Sequence, residues 1–234
     1  VAVKCYTVVR GRRMRVTRLD ECGGVPDAPA NQNVVTSGFI TVGLSAVVEE
    51  GDDIVQKNAN GDLVVNDRSR NQFKRWDVSA DFAYVNPALL SLMTNTRLEE
   101  DWDSNVVGVR QPEGGTVDSF ALEVWTGVPG SDCLPGEPAN YGYLLLPFVV
   151  GGPLGDITIE NGAATFSVSS FTRGAGGWGV GPYDVVATNS DNDAGPLSVA
   201  MAQDEHLLMR LTTIAPPDDD CAFETTPTGG EGGV

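Results

Sequence analysis

The chain of 234 residues is poor in the side chains on which most enzymes and metal proteins depend. It has one histidine, His206, and four cysteines, Cys5, Cys22, Cys133 and Cys221, none of them in a C-x-x-C pair. Zinc sites draw on closely spaced Cys and His, so zinc clustering has no support. A disulfide framework is not expected in so large a chain with so few cysteines. The thiols read as free and buried or half-buried, with a bridge between Cys5 and Cys22 left open. Apolar runs are short. Nothing approaches the roughly 20 residues of a membrane helix, and "VAVKCYTVVRGRRMRV" carries neither the apolar segment nor the small-residue cleavage site of a signal peptide. This reading expects a chain that is soluble when made, without membrane insertion and without export by the general route.

Positive charge is the other scarcity. Lys and Arg number 15 against 32 Asp and Glu, for a net charge of −17. The imbalance is lopsided: through residue 75 there are 11 basic and 9 acidic residues, net +2, and beyond it 4 and 23, net −19. Ordinary nucleic-acid binding is driven by Lys and Arg displacing counterions from phosphates, so this balance disfavours it. It is compatible with solubility alone, and with a surface past which nucleic acid slides without sticking.

What is abundant is turn material and alternation. Glycine (28) and proline (14) are frequent but aperiodic, which indicates many turns and no fibrous repeat; no internal repeat is found. In "FITVGLSAVVE" Ile40, Val42, Leu44, Ala46 and Val48 alternate with Thr41, Gly43 and Ser45. In "KRWDVSADFAYV" Trp76, Val78, Ala80, Phe82 and Tyr84 alternate with Asp77, Ser79 and Asp81. A period of two with one apolar face predicts half-buried antiparallel strands. Further strands are expected around 116–126, 141–150, 156–160, 164–172 and 205–214, with Asn161 and Gly162 forming a tight hairpin turn. "NPALLSLMTN" predicts a short peripheral helix over 87–94, with Asn86 as N-cap, Pro87 at the first helical position, and Leu89, Leu90, Leu92 and Met93 along one face against the sheet. The stretches 22–33 and 128–140 and the polar, Gly-rich terminal segment read as loops and arms.

Motifs for chemistry are weak. His206 has no nucleophile elbow beside it and reads as a structural or surface histidine. "NSDNDAG" imitates the start of a calcium loop through Asn189, Asp191 and Asp193, but Ala194 and Ala200 stand where that loop needs Gly and Glu, so a polar turn is expected. "GAGGWGVG" at 174–181 is followed by Pro182 and not by a helix, and reads as a flexible loop. Carboxylate pairs for hydrolase chemistry could be drawn from "LEEDWDSN" (98–105), Glu99 and Asp101 among them, but any acidic chain offers such pairs, and a solvated acidic loop is expected there.

The stretch "EEGDDIVQKNANGDLVVND" (49–67) reads as a protruding β-hairpin with a type I′ turn at Asn60 and Gly61. Its carboxylates follow no metal-loop spacing. Ile54, Val55, Leu63, Val64 and Val65 on such a ribbon would be an edge-pairing hazard in a monomer and make sense if a neighbouring subunit covers them. The basic run Arg68, Arg70, Lys74 and Arg75 follows at once and could face acidic groups on that neighbour; a hairpin tucked onto its own domain is the other reading.

Three blocks in order, "TRLDECGGVPDAPANQNVVTSGFITVGLSAVVEEGDDIVQKNANGDLVVND", "WDVSADFAYVNPALLSLMT" and "DEHLLMRLTTIAPPDDDC", give the chain a wider likeness. It resembles the major tail tube proteins of long, flexible-tailed bacteriophages that infect actinobacteria. The resemblance covers the first hundred residues and the far end, and is least specific over roughly 100–195. It implies a mainly β fold, a two-sheet antiparallel β-sandwich or barrel with one short flanking helix and extended arms. It implies a single tail tube domain over 1–234, with an N-terminal arm and loop (1–33), the hairpin arm (49–67) and a flexible acidic, Gly-rich tail (215–234). Subunits of that family form rings, usually hexameric, whose sheets join into an inner barrel. The rings stack into a tube around a tape-measure protein, with tail terminator and distal tail proteins as further partners, and DNA later passes through the lumen. The implied protein is a virion component assembled in the host cytoplasm, structural and non-enzymatic, with no cofactor. Thr41, Ser45, Asp77, Asp81, Thr165 and Ser167 become candidates for the lumen wall. Two other readings stand beside it: a decoration or adhesin module presenting Trp102 or Trp178 on loops, and a hydrolase built on 98–105.

Overall fold

The computed structural model describes residues 5–114, 118–130, 139–159 and 164–227. The turn expected at Asn161 and Gly162 and the state of Cys133 lie outside them. The chain is mainly β. Its large antiparallel sheet runs, in spatial order, β16 (Glu224–Thr225), β2 (Gln32–Thr36), β1 (Val9–Leu19), β9 (Ser119–Gly127), β10 (Tyr141–Val150), β12 (Thr165–Thr172), β6 (Gln72–Phe82) and β3 (Phe39–Glu49). β11 (Leu154–Thr158) adds to β12 and β15 (Leu208–Thr212) to β10. The pairs β4 (Asp53–Lys57) with β5 (Leu63–Arg68), β7 (Arg97–Glu100) with β8 (Val106–Arg110), and β13 (Val186–Ala187) with β14 (Ala194–Gly195) form separate two-stranded sheets.

One connection dictates the shape of the large sheet. β2 and β3 lie near its opposite ends, yet only Ser37 and Gly38 join them. Three consecutive Cα steps span at most roughly 11 Å. The sheet must therefore curl until its ends meet, and the contacts agree: the Phe39 ring lies where a Cβ on Gly11 of β1 would stand, and Thr36 and Tyr84 share a hydroxyl hydrogen bond of 2.9 Å. The curled sheet and its small satellites fit a β-sandwich. Met14, Val16, Val34, Val78, Phe82, Phe120, Leu122, Leu146 and Val168 meet in one core inside the curl.

The helix α1 (Pro87–Met93) enters this core. Asn86 Oδ1 accepts from the Leu89 amide at 3.1 Å, as an N-cap should, and the Thr94 amide closes the last turn on the Leu90 carbonyl at 2.9 Å. It is not peripheral: residues 88–93 are all buried, between β1, β2 and β9 on one side and the β7–β8 hairpin on the other. That hairpin occupies part of the stretch expected to be a solvated acidic loop.

The segment 1–33, expected as arm and loop, contains β1, and β1 lies deep in the sheet. Met14, Arg15, Val16 and Thr17 are buried because both faces of β1, β9 and β10 are covered. The second face packs Trp125, Tyr143, Leu145 and Phe148 under Ala175, Trp178, Tyr183, Val185, Leu197 and Met201. The glycine-rich stretch 174–181 is thus a packed layer and not a free loop. Its glycines allow close approach, since a Cβ on Gly176 (φ +57°) would stand 2.3 Å from the Cys22 carbonyl oxygen. Pro147, which has no amide hydrogen to donate, falls where β10 exchanges β15 (paired at 141–145) for β12 (paired at 149–150).

At the centre of this second face Arg15 and Glu123 sit opposite each other on β1 and β9, 108 positions apart in the chain. Their side chains are 8% and 1% exposed. Arg15 Nε and Nη2 donate to the two Glu123 oxygens at 2.6 and 2.7 Å, and the Tyr143 hydroxyl donates to Glu123 Oε1 at 2.6 Å. The guanidinium lies 3.2 Å from the Tyr183 ring centroid. Burial opposes the Arg15 charge, but the adjacent carboxylate more than offsets this and its pKa is raised. Burial first, and the Glu123 charge second, push Tyr143 well above its ordinary value; burial takes Tyr183 to about 12 against the pull of Arg15.

The network extends to the terminal segment. Tyr183 Oη and Thr17 Oγ1 are 2.8 Å apart, and the Tyr183 hydroxyl donates to Thr226 Oγ1 at 3.3 Å. Thr226 is fully buried and exchanges backbone and side-chain hydrogen bonds with Asn31. So the segment expected to be a flexible tail from 215 onward is docked along β2 as far as Thr226. Cys5, Cys22 and Cys221 are free, as expected, but exposed where burial was expected.

Replacing Glu123 by Leu would strand the Arg15 charge inside the sheet, and a loss of about 3–5 kcal/mol is expected in urea unfolding. The triple variant Arg15→Met, Glu123→Leu, Tyr143→Phe, which removes all three polar partners, should recover most of that loss. A triple variant no more stable than Glu123→Leu would show that the pair is not the source of the effect.

Candidate assembly surfaces

Where the second-face layer stops, the other half of the sheet is open. The ladders of β3, β6 and β12 align Thr41 with Asp81 and Ser167, Gly43 with Ser79 and Ser169, and Ser45 with Asp77 and Phe171. Alternation places all of these on one face, while Val42, Leu44, Val78, Ala80 and Val168 turn into the core. Thr165 shares the parity of Ser167 on β12. The structure therefore brings together the six candidate wall residues, Thr41, Ser45, Asp77, Asp81, Thr165 and Ser167, on one contiguous surface. The reading overlooked Ser169, although the same alternation reaches it.

The face is rich in hydroxyls and only modestly acidic. Thr41 Oγ1 donates to Asp81 Oδ2 at 2.6 Å, and Arg75 Nε pairs with Asp77 Oδ1 at 2.8 Å. Phe171, 39% exposed, is its apolar intrusion, with the Arg75 guanidinium 5.4 Å from its ring centroid.

From the end of this face the chain continues into the β4–β5 hairpin. Residues 52–74 are exposed throughout. Ile54, Val55, Leu63, Val64 and Val65 are 54, 53, 53, 64 and 40% exposed, so the described residues leave much of each uncovered. The register puts aliphatics on both faces of the ribbon: Ile54 faces Asp67 and Gln56 faces Val65 across one, Val55 faces Asn66 and Lys57 faces Leu63 across the other. A ribbon apolar on both faces is suited to lie between two surfaces. Covering one such side chain fully is worth about 1.5–3 kcal/mol.

The turn differs from the expected type I′. Only Gly61 has positive φ (+87°), the Gly61 amide donates to the Asn58 carbonyl at 3.0 Å, and a register shift follows at Lys57. This is a turn over 58–61 with a left-handed glycine and a bulge. It is knitted by Asn58, whose Oδ1 accepts from the Asn60 and Asp62 amides at 3.0 and 2.8 Å. Within the basic run, Arg68 meets Asp53 at 3.5 Å, Lys74 meets Glu49 at 2.7 Å and Arg75 meets Asp77, while Arg70 makes no ion pair among the described residues. These are exposed pairs of small energetic worth, so exchanging them for partners on a neighbour costs little.

The residues weighed for chemistry have local partners. Glu99 pairs with Arg110 across β7–β8. Asp101 accepts from the Asn105 amide, the Asn105 side chain and the Asp103 amide; the two Asn105 bonds do most to hold its pKa low, and so it shapes the hairpin loop. Asn189 Oδ1 accepts from the Asp191 and Asp193 amides, making "NSDNDAG" a polar turn. No cluster of three metal-ligating side chains occurs among the described residues. A cleft of about 430 Å³ between residues 24–27 and 177–182 has Asp27 as its one ionisable lining residue, a poor fit to phosphate. Trp178 is buried, whereas Trp102 at the β7–β8 tip is 94% exposed.

His206 lies against the Phe73 ring and within 2.8 Å of Thr172 Oγ1. No family model matches the chain, and no curated protein matches it.

Burial lowers the His206 pKa below 6.5, against the opposing pull of Asp204. The unfolded chain then takes up the proton first. The stability contributed by neutral His206 is whole above pH 6.5 and is lost as the pH falls through the folded value. Proton NMR of this single histidine should give a midpoint below 6.5; a midpoint at or above it would contradict the packing described.

Proposed function

We propose that the chain is a structural, self-assembling subunit of a phage tail tube. Copies join into rings, hexameric by the resemblance, and the rings stack around a tape-measure protein, with terminator and distal tail proteins closing the ends. The observation that carries the proposal is the β4–β5 ribbon, five exposed aliphatics on two faces that the described residues of the subunit leave largely uncovered. In this reading the ribbon is the arm that binds a neighbouring subunit, and the β3–β6–β12 face lines the lumen. A wall of Thr, Ser and Gly with a few carboxylates offers phosphates little positive charge to hold them, so DNA passes. The tube would form in the host cytoplasm and function in the virion, without catalysis or cofactor.

A second reading rests on Trp102. A fully presented indole at a hairpin tip suits a binding module that takes a carbohydrate or receptor.

Light scattering after size exclusion, with negative-stain microscopy of the same fractions, separates the two. Rings or hollow tubes are expected from the unaltered chain. Ile54→Asp with Val64→Asp should give a folded monomer, and Trp102→Ala should leave assembly intact. Normal tubes from the Ile54, Val64 variant would sink the arm assignment; a monomer at all concentrations and salts, losing a glycan or receptor ligand with Trp102→Ala, would favour the binding module.

A further inference from the structure

We propose that Asn60 is a site of spontaneous deamidation, gated by Asn58. At the tip of the β4–β5 ribbon Asn60 is exposed and is followed by Gly61, the one Asn–Gly step among the described residues. Gly61 has no side chain to shield its nitrogen, and nothing lies within 4 Å of where a Cβ would stand. Among the described residues the Asn60 side chain makes no hydrogen bond, unlike that of Asn58. Its carboxamide is therefore free to rotate onto the next peptide.

The reaction needs only water. The Gly61 nitrogen, giving up its proton to solvent base, bonds to Asn60 Cγ; the Cγ–Nδ2 bond breaks, and Nδ2 takes a proton and leaves as ammonia. Water then adds to either carbonyl of the five-membered imide and cleaves one of its two C–N bonds. The product is aspartate or isoaspartate at position 60, with no change of oxidation state. What restrains the step is the turn itself. The Gly61 amide is engaged with the Asn58 carbonyl at 3.0 Å, and the Asn58 side chain ties down the Asn60 and Asp62 amides. The turn must open before the nitrogen can attack, and Asn58 sets how often it does. Each conversion adds a negative charge beside Asp62 on the ribbon proposed to bind a neighbour, and the isoaspartate form lengthens the backbone within the turn.

The purified full-length chain, incubated in warm, mildly alkaline buffer, is digested at intervals and its peptides are followed by mass spectrometry, with an isoaspartate methyltransferase to label that product. Conversion at Asn60 is expected to outpace that at Asn58 and Asn66 by tenfold or more. It should vanish in Asn60→Gln and run several-fold faster in Asn58→Ala, whose fold is checked by circular dichroism. Absence of conversion at Asn60 in both the unaltered chain and Asn58→Ala would overturn the site. Equal rates in those two chains would overturn the gate. The measurement uses the free subunit, so its outcome does not depend on whether the chain forms tubes.

Discussion

The bidentate ion pair between Arg15 and Glu123 is the constraint around which the centre of the sheet is organised. Two charges this deeply buried are tolerable only if each lone pair and proton finds a partner. The neighbouring residues supply them: a hydroxyl from β10, the face of Tyr183, and through that ring the hydroxyls of Thr17 and Thr226. The pair also fixes register. Sliding β1 by one residue along β9 would turn Arg15 into the aliphatic core beside Leu122 and expose Met14 and Val16 to the polar network, so each neighbouring register carries an uncompensated charge. The most basic stretch of the chain is joined here to its acidic remainder.

The two-residue link between β2 and β3 divides the molecule into halves of different character. On one side β1, β9 and β10 are covered on both faces, by α1 with its hairpin and by the 174–201 layer. On the other, β3, β6 and β12 keep one face in the core and leave the second open, and the sheet runs outward into the ribbon. The covered half holds the shape, and the open half presents the surfaces on which the proposed assembly rests.

How legible each half was in the sequence follows from the same division. Strands with one open face announce themselves by alternation, as in 39–49 and 72–82, and the helix by Asn86 and Pro87 at its start. Alternation of this kind, there and along 164–172, set out the polar faces of the six wall candidates, whose place in a lumen was implied only by the resemblance; the hairpin arm was marked by Asn60 and Gly61 between strand-like flanks. β1 did not show itself. "VRGRRMRVTRL" reads as a basic arm because bulges near Arg10 and Arg12 break its period of two. The charge of Arg15, moreover, is neutralised by a residue 108 positions away, which no local window contains. The β7–β8 hairpin was hidden for a related reason: its acidic residues describe a solvated surface, while its role of covering α1 depends on where the helix lies. Gly176 and Gly177, in a stretch read as a flexible loop, serve close packing against Cys22 instead, and Gly176 against Phe148 as well.

The distance between the partners of the central pair has a consequence for how the molecule comes into being on the ribosome. Pairing of β3 with β6, and of β4 with β5, joins segments near one another in the chain, so the ribbon can form early. β1 must wait for β9 to be synthesised, and the Arg15 network is complete only after Tyr183 and Thr226 have emerged. For most of translation the chain therefore displays its stickiest hairpin before it owns a core. Such long-range pairing is slow, and the waiting interval is the one most exposed to mispairing between nascent chains. The scattering of aspartates and glutamates along that hairpin then acquires a use as mutual repulsion between unfinished copies.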